Sequence, residues 1–226
     1  MSSPIAKPKK NIIDKTLIKI HNKSSHLSRV EILSNLFYEE IVKLGLKNKR
    51  TNFLDVGCGD MSIAKSLSSK LNNCNYTCID IYPNTNKWDN YVQFNGKNIP
   101  FENDSFDIVI FSDMLHHDYE NIINLLEEAK RVSSFIFIKD HFEYSYYSRK
   151  ILQAADFIGN YGYGVSIPKR YLSKSSFSDF LNSVDLVEVK RICPIHLYAK
   201  SKIIKYIFNP KYQFMSISKK HKITTL

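Results

Sequence analysis

The chain has 226 residues, 43% of them apolar, with fourteen Tyr and fourteen Phe, enough to bury a full core and better suited to one domain than to two equal ones. No stretch approaches the ~20 uninterrupted apolar residues of a membrane-spanning helix, and Met1–Lys10 lacks the apolar run of a secretory signal, so a cytoplasmic setting is expected. The net charge of +10 sits at the ends: residues 1–50 carry eleven Lys/Arg against four Asp/Glu, residues 196–226 seven Lys and no acid, and residues 51–195 fourteen bases against eighteen acids.

Basic ends suit an anionic partner such as a phosphorylated substrate, RNA or a membrane surface, although solvated Lys-rich faces account for the same pattern. Four cysteines, Cys58, Cys74, Cys78 and Cys193, lack CxxC spacing and read as small core residues, so neither a metal nor a disulfide is expected.

In chain order, Val30, Leu33, Phe37, Ile41 and Leu44 share a helical face with Gly45 as C-cap. The pattern then alternates: strand 52–56, helix 62–71, strand 76–81, a short strand 91–94, strand 106–111, helix 119–132 and strand 134–139. That rhythm predicts a doubly wound α/β sheet, and the runs FDIVIF and SFIFIK are apolar enough to be covered on both faces. Past Lys139 an aromatic segment, residues 142–164, is expected to lie over the sheet's edge as helix and loop. A short helix in KSSFSDFLNSV, a strand in VDLVEVKRI, a basic amphipathic helix in LYAKSKIIKYIF and a final strand in YQFMSISKK complete the chain. The organisation expected is one domain: a basic helical extension (1–50), a cofactor-binding core (51–141), an aromatic insertion over the acceptor site (142–183) and final strands with a basic helical connection (184–226).

FLDVGCGDMSIAKSL, residues 53–67, is a strand turning on two glycines into a helix. Glycines let backbone approach a ligand, and the helix start offers unpaired N–H groups. Asp80 ends the next strand twenty-one residues after Gly59, where a carboxylate can accept hydrogen bonds from both ribose hydroxyls of an adenosine. A pyrophosphate at this turn would be repelled by Asp55 and Asp60, whereas a cofactor with an ammonium and a sulfonium would welcome them. The charges favour S-adenosylmethionine over a dinucleotide.

At these residues the sequence resembles the class I S-adenosylmethionine-dependent methyltransferases, particularly the small-molecule enzymes often called type 11. LDVGCGD is similar to their first motif, Asp80 in CIDIYP to their ribose-binding acid, and FNGKNIPFENDSFDIVIFSDMLHH to the segment leading into their fourth strand. The resemblance covers roughly residues 50–140. It implies a Rossmann-like, seven-stranded, mostly parallel sheet with helices on both faces, and methyl transfer to a small-molecule acceptor. It also implies that Asp55, Gly57, Cys58 and Gly59 border the methionine end of the cofactor. Asp80 and Ile81 would meet the ribose, Gly96, Lys97 and Asn98 the adenine, and Ser112 and Asp113 the methionine side. Two departures stand out. Met61 occupies the place of a third glycine, with a side chain expected to point away from the cofactor, and Asn95 replaces a common Asp before Gly96.

Methyl transfer is an in-line displacement in which positioning supplies much of the acceleration, and an oxygen acceptor benefits from a base. His141 with Asp140, after the fifth strand, and His117, after the fourth, are the candidate catalytic residues, since strand C-termini line the ligand crevice; structural packing is the alternative account of the LHH pair. Tyr144, Tyr147, Tyr161 and Tyr163 are candidates to enclose an apolar acceptor. A competing reading takes Tyr146-xxx-Lys150 with Ser133 as a short-chain-dehydrogenase set acting with NAD(P), but the glycine-rich loop of those enzymes is absent. A third reading is a non-catalytic S-adenosylmethionine- or RNA-binding protein. SDML stands where base-methylating enzymes carry an NPPY or DPPY tetrad.

Overall fold

The computed structural model describes residues 23–47, 49–160, 165–197 and 209–221. In chain order these form α1 (Lys23–Lys43), β1 (Thr51–Val56), α2 (Ser62–Ser68), β2 (Cys74–Asp80), β3 (Tyr91–Gln93), β4 (Phe106–Ser112), a 3-10 turn (Leu115–Asn121) and α3 (Ile122–Val132). Then come β5 (Ser133–His141), α4 (Tyr146–Asn160), α5 (Lys174–Ser183), β6 (Leu186–Ile192), a second 3-10 turn (Pro210–Tyr212) and β7 (Gln213–Lys220). The seven strands make one sheet in the order β3-β2-β1-β4-β5-β7-β6. β1 pairs parallel with β2 and β4, β4 with β5, and β2 with β3, while β7 runs antiparallel to β5 and β6. The expected α/β fold with a seven-stranded, mostly parallel sheet is therefore present. No described helix is long and apolar enough to cross a membrane.

Strand alternation explains two cores on one sheet. Leu54, Val56, Val109 and Phe111 turn to one face with Leu125, Leu126 and Ala129 of α3 and Phe177 and Leu181 of α5. Phe53, Ile108, Ile110 and Phe137 turn to the other with Leu33, Phe37 and Ile41 of α1 and Ala64 and Leu67 of α2. Side chains two apart share a face, so an uninterrupted apolar run serves helices on both sides.

Local signals set the helix ends. Gly45, at φ +74, lets Leu46 N–H reach the Ile41 carbonyl at 3.2 Å and its own N–H reach Val42 at 3.0 Å, a Schellman stop for α1. α2 ends at Ser68, short of the expected Leu71, because the hydroxyls of Ser68 and Ser69 donate back to the Lys65 and Ser66 carbonyls. The helix expected over 119–132 begins as a 3-10 turn at Leu115 and is interrupted at Asp118 before α3. α5 starts on a capping box between Ser173 and Ser176. Residues 198–208 of the expected basic helix and residues 1–22 of the basic N-terminal extension lie outside the described residues.

β1 is the strand at which the order reverses, with β2 and β3 on one side and β4 and β5 on the other. Ligand crevices of open α/β sheets form at the strand C-termini around such a switch point, where Val56, Asp80, Ser112 and His141 end their strands.

Candidate functional site

The glycine turn is fixed from β2. Gly57 and Cys58 donate to the Ile79 carbonyl at 2.8 and 3.3 Å, and Gly59 N–H donates to Asp80 Oδ2 at 2.9 Å. Gly57 has φ +72 and a Cβ there would stand 2.3 Å from Met114 Cγ, so only glycine fits. Gly59 has φ +54 with nothing within 4 Å of its would-be Cβ, an open approach to backbone. The Cys78 thiol beside it, together with burial, keeps the Cys58 thiol raised and uncharged.

Met61 adopts φ +63, ψ +11, a left-handed conformation at the residue that opens α2. This is the geometry a third glycine would serve. The methionine side chain is buried in the α1–α2 core, away from the turn's open side, as expected.

Asp55 is 2% exposed at the end of β1. Burial, with the negative charges of Asp80 and Asp60 nearby, pushes its carboxyl up to about 7. A cation placed in this turn would relieve that repulsion, and the open space at Gly59 admits it; these residues fit a sulfonium nucleoside bearing an ammonium. Asp60 is held by His26 of α1 at 3.2 Å and by Ser62.

In the loop expected to meet the adenine, Asn95 Oδ1 accepts from Lys97 and Asn98 N–H, both at 2.8 Å, and Asn121 donates to the Gly96 carbonyl at 2.8 Å. Asn95 thus shapes the loop from within, which accounts for its place before Gly96. Gly96 has φ +79 and lies against Ile81, whose exposed side chain offers an apolar shelf.

Ser112 Oγ has no hydrogen-bond partner among the described residues. Asp113, at φ +55, is engaged by Arg29 of α1 and by Lys139, and its N–H donates to the Lys139 carbonyl at 2.8 Å. Burial raises the Asp113 carboxyl, but Lys139 and Arg29 outweigh it and hold it well below the usual range. Lys139, fully buried, also donates to Gln213 of β7 at 2.5 Å.

His141 and Asp140 end β5. His141 Nδ1 lies 3.4 Å from Asp140 Oδ1 and 3.5 Å from Asp113 Oδ1, without a hydrogen-bond partner among the described residues. Asp140 is wholly buried and its oxygens are occupied by the His116 ring at 2.5 Å and by the His141 N–H at 2.7 Å, so it positions rather than reacts. Its ring partner is thus His116 rather than the expected His141. Burial pushes the His116 imidazole down, but Asp140 and Asp156 outweigh it and lift it to about 10. His117 is partly buried, with Nδ1 3.3 Å from the Ser166 carbonyl. Lowered chiefly by burial, it stays neutral near pH 7.

Of the tyrosines, Tyr144 donates to the Lys211 carbonyl at 2.9 Å and Tyr147 is 79% exposed, whereas Tyr161 and Tyr163 lie outside the described residues. Tyr171, missed in the sequence, is buried against the His116 ring at 5.3 Å and donates to Asp156. The dehydrogenase reading fails on geometry: Ser133 opens β5 and bonds the Ala129 carbonyl, while Tyr146 follows the strand's other end. A nine-residue strand separates those ends by roughly 26 Å.

A methyltransferase-domain family model matches residues 54–134. The phthiotriol/phenolphthiotriol dimycocerosates methyltransferase of Mycobacterium leprae is 31% identical over 107 residues, which cover 43% of this chain and 38% of that protein. A relative from Mycobacterium ulcerans is 32% identical over the same length. The chain thus spans about 40% of the curated relatives it matches. Among solved structures, a SAM-dependent methyltransferase from Aquifex aeolicus superposes with TM-score 0.56 at 16% identity, over 93% of this chain and 98% of that one. The magnesium protoporphyrin IX methyltransferase of Synechocystis, solved with bound SAH, gives TM-score 0.56 at 12% identity over 96% and 90%. Residues 54–134, from β1 to the start of β5, are thus similar to a methyltransferase-domain family, and the sheet has the fold of class I methyltransferases.

Proposed function

We propose that the protein methylates a hydroxyl of a small, largely apolar acceptor, with S-adenosylmethionine held by Asp55, the Gly57–Gly59 turn, Asp80 and the Asn95–Asn98 loop. The observation that carries the cofactor reading is the buried Asp55 carboxyl beside an open glycine turn and a second carboxylate, Asp80, bound to that turn at 2.9 Å. Such a site repels a pyrophosphate and receives a cationic nucleoside. S-adenosylmethionine, when bound, supplies an electrophilic methyl group for in-line displacement.

The chain's own part is to orient the acceptor and take its proton. His141 is set at the crevice with Nδ1 turned to Asp140 and Asp113 at 3.4 and 3.5 Å, which leaves Nε2 as the nitrogen to act as base on an acceptor hydroxyl. Asp140 and Asp113 orient the ring and stabilise the imidazolium it becomes. Oxygen is favoured because the Mycobacterium leprae relative is named for a triol.

Calorimetric titration with S-adenosylmethionine, S-adenosylhomocysteine and NAD(P)H tests the cofactor; micromolar binding of the first two alone is expected, and binding of the nicotinamide alone would overturn it. Transfer of labelled methyl to a panel of hydroxylated lipids tests the acceptor class. Turnover retained in His141→Ala would remove that residue as the base.

A further inference from the structure

The sequence offered no metal-ligand spacing, yet the fold gathers one. His116 and His117 on the turn after β4 and Asp156 on α4 each offer a ligand atom, all within 4.8 Å of one another. We propose that these three residues bind a divalent transition-metal ion, zinc by their chemistry, which ties α4 to the end of β4 beside the acceptor crevice.

Two independent features point to a cation. First, His116 Nε2 is fully buried and has no hydrogen-bond partner among the described residues, while Asp156 Oδ2 stands 3.5 Å away. That spacing is long for a hydrogen bond and close to the separation of two ligands around a tetrahedral zinc with bonds of ~2.0–2.1 Å. Second, the far nitrogens are already engaged as those of metal-bound histidines are. His116 Nδ1 meets Asp140 at 2.5 Å and His117 Nδ1 meets the Ser166 carbonyl at 3.3 Å. A carboxylate or backbone carbonyl on one ring nitrogen fixes the tautomer and leaves the other to give its lone pair. Tyr171, donating to Asp156, orients the carboxylate in the same way.

Asp140 and Asp156 flank the His116 ring at 2.5 and 3.5 Å, and a metal ion on Nε2 takes the place of the proton that otherwise meets their charge, so that proton is released on binding. Two histidines and one carboxylate also leave a fourth position for water or an acceptor oxygen.

Cobalt(II) is the direct probe, since its visible spectrum reports ligand type and number. The protein is stripped with a chelator and titrated with cobalt(II), and zinc is then added in competition, with no methyl donor present, so the outcome is independent of the cofactor and acceptor readings. One equivalent of cobalt with a tetrahedral, nitrogen–oxygen spectrum, displaced by zinc, is expected. Affinity should fall at least about tenfold in Asp156→Asn and in His117→Ala and stay unchanged in His221→Ala. Circular dichroism of each variant establishes that it is folded, and both site variants keep the buried His116–Asp140 pair so that neither removes a core side chain. No stoichiometric binding by the wild-type protein, a thiolate charge-transfer band, or wild-type affinity retained in either site variant would overturn the assignment.

Discussion

Asp80 Oδ2 accepts the Gly59 N–H at 2.9 Å, so the acid that ends β2 also holds the turn that follows β1. Removing it frees the turn and, on the proposed reading, deletes the ribose acceptor. Asp80→Ala should weaken S-adenosylhomocysteine binding by about 1.5–3 kcal/mol, roughly ten- to a hundredfold in Kd, with the far-ultraviolet circular dichroism unchanged. Equal affinity by calorimetry would exclude this residue from the cofactor site.

The two glycines of the turn should separate stability from binding. Alanine at Gly57 meets Met114 Cγ at 2.3 Å and a positive φ together, so Gly57→Ala is expected to cost about 2–5 kcal/mol in denaturant unfolding. Alanine at Gly59 meets nothing within 4 Å. Gly59→Ala should therefore cost only about 1 kcal/mol of stability while reducing cofactor affinity, because its methyl enters the space left for the ligand.

What the sequence disclosed was local. Asp55, the glycines and Asp80 sit on one strand–turn–helix–strand segment, where spacing alone fixes their relation. Arg29, Lys139 and Asp156 were not legible because their partners are distant in sequence: Arg29 meets Asp113 across 84 positions and Lys139 meets Gln213 across 74. Lys139 closes the run SFIFIK, which the sequence marks as covered on both faces without saying what meets its charge. Pairing of β5 with β7 encloses it, and the left-handed backbone at Asp113 aligns a carboxylate with it. Aromatic content also could not say which way a ring faces: Tyr147 is turned to solvent while Tyr171, outside the aromatic run, is buried at the His116 cluster.

The ion cluster at the ends of β4 and β5 carries stability in proportion to its burial. Lys139→Met leaves Asp113 with Arg29 alone and strands Gln213 without its donor. A buried pair broken on one side costs about 3–5 kcal/mol, and urea unfolding should show a loss of that size. A loss under 1 kcal/mol would mean that water reaches the cluster.

Met61→Gly sets two effects against each other. Glycine relieves the left-handed backbone, worth about 1 kcal/mol, but empties a side chain buried to 1% exposure among Leu33, Phe37 and Ala64, worth about 2–5 kcal/mol. The cavity outweighs the strain, so the variant should be less stable by about 1–4 kcal/mol, with cofactor affinity intact because the side chain faces the core.

Asp55 makes stability and cofactor binding respond to pH in opposite directions. Its carboxyl is raised from 3.8 to about 7 in the folded protein. Between those values the folded chain therefore retains a proton that the unfolded chain releases. Stability contributed by that proton is complete below the unfolded value, declines as pH rises toward 7 and levels off above it, a total on the order of 4 kcal/mol. Asp55→Asn should flatten this decline in chemical denaturation between about pH 4.5 and 8. A cationic cofactor needs the carboxylate, so wild-type affinity for S-adenosylmethionine should rise with pH up to about 7 and then plateau, with protons released on binding below the plateau. Titrations in two buffers of different ionisation enthalpy measure that release directly. Binding that releases no protons below pH 7 would show that Asp55 does not face the cofactor's positive charge.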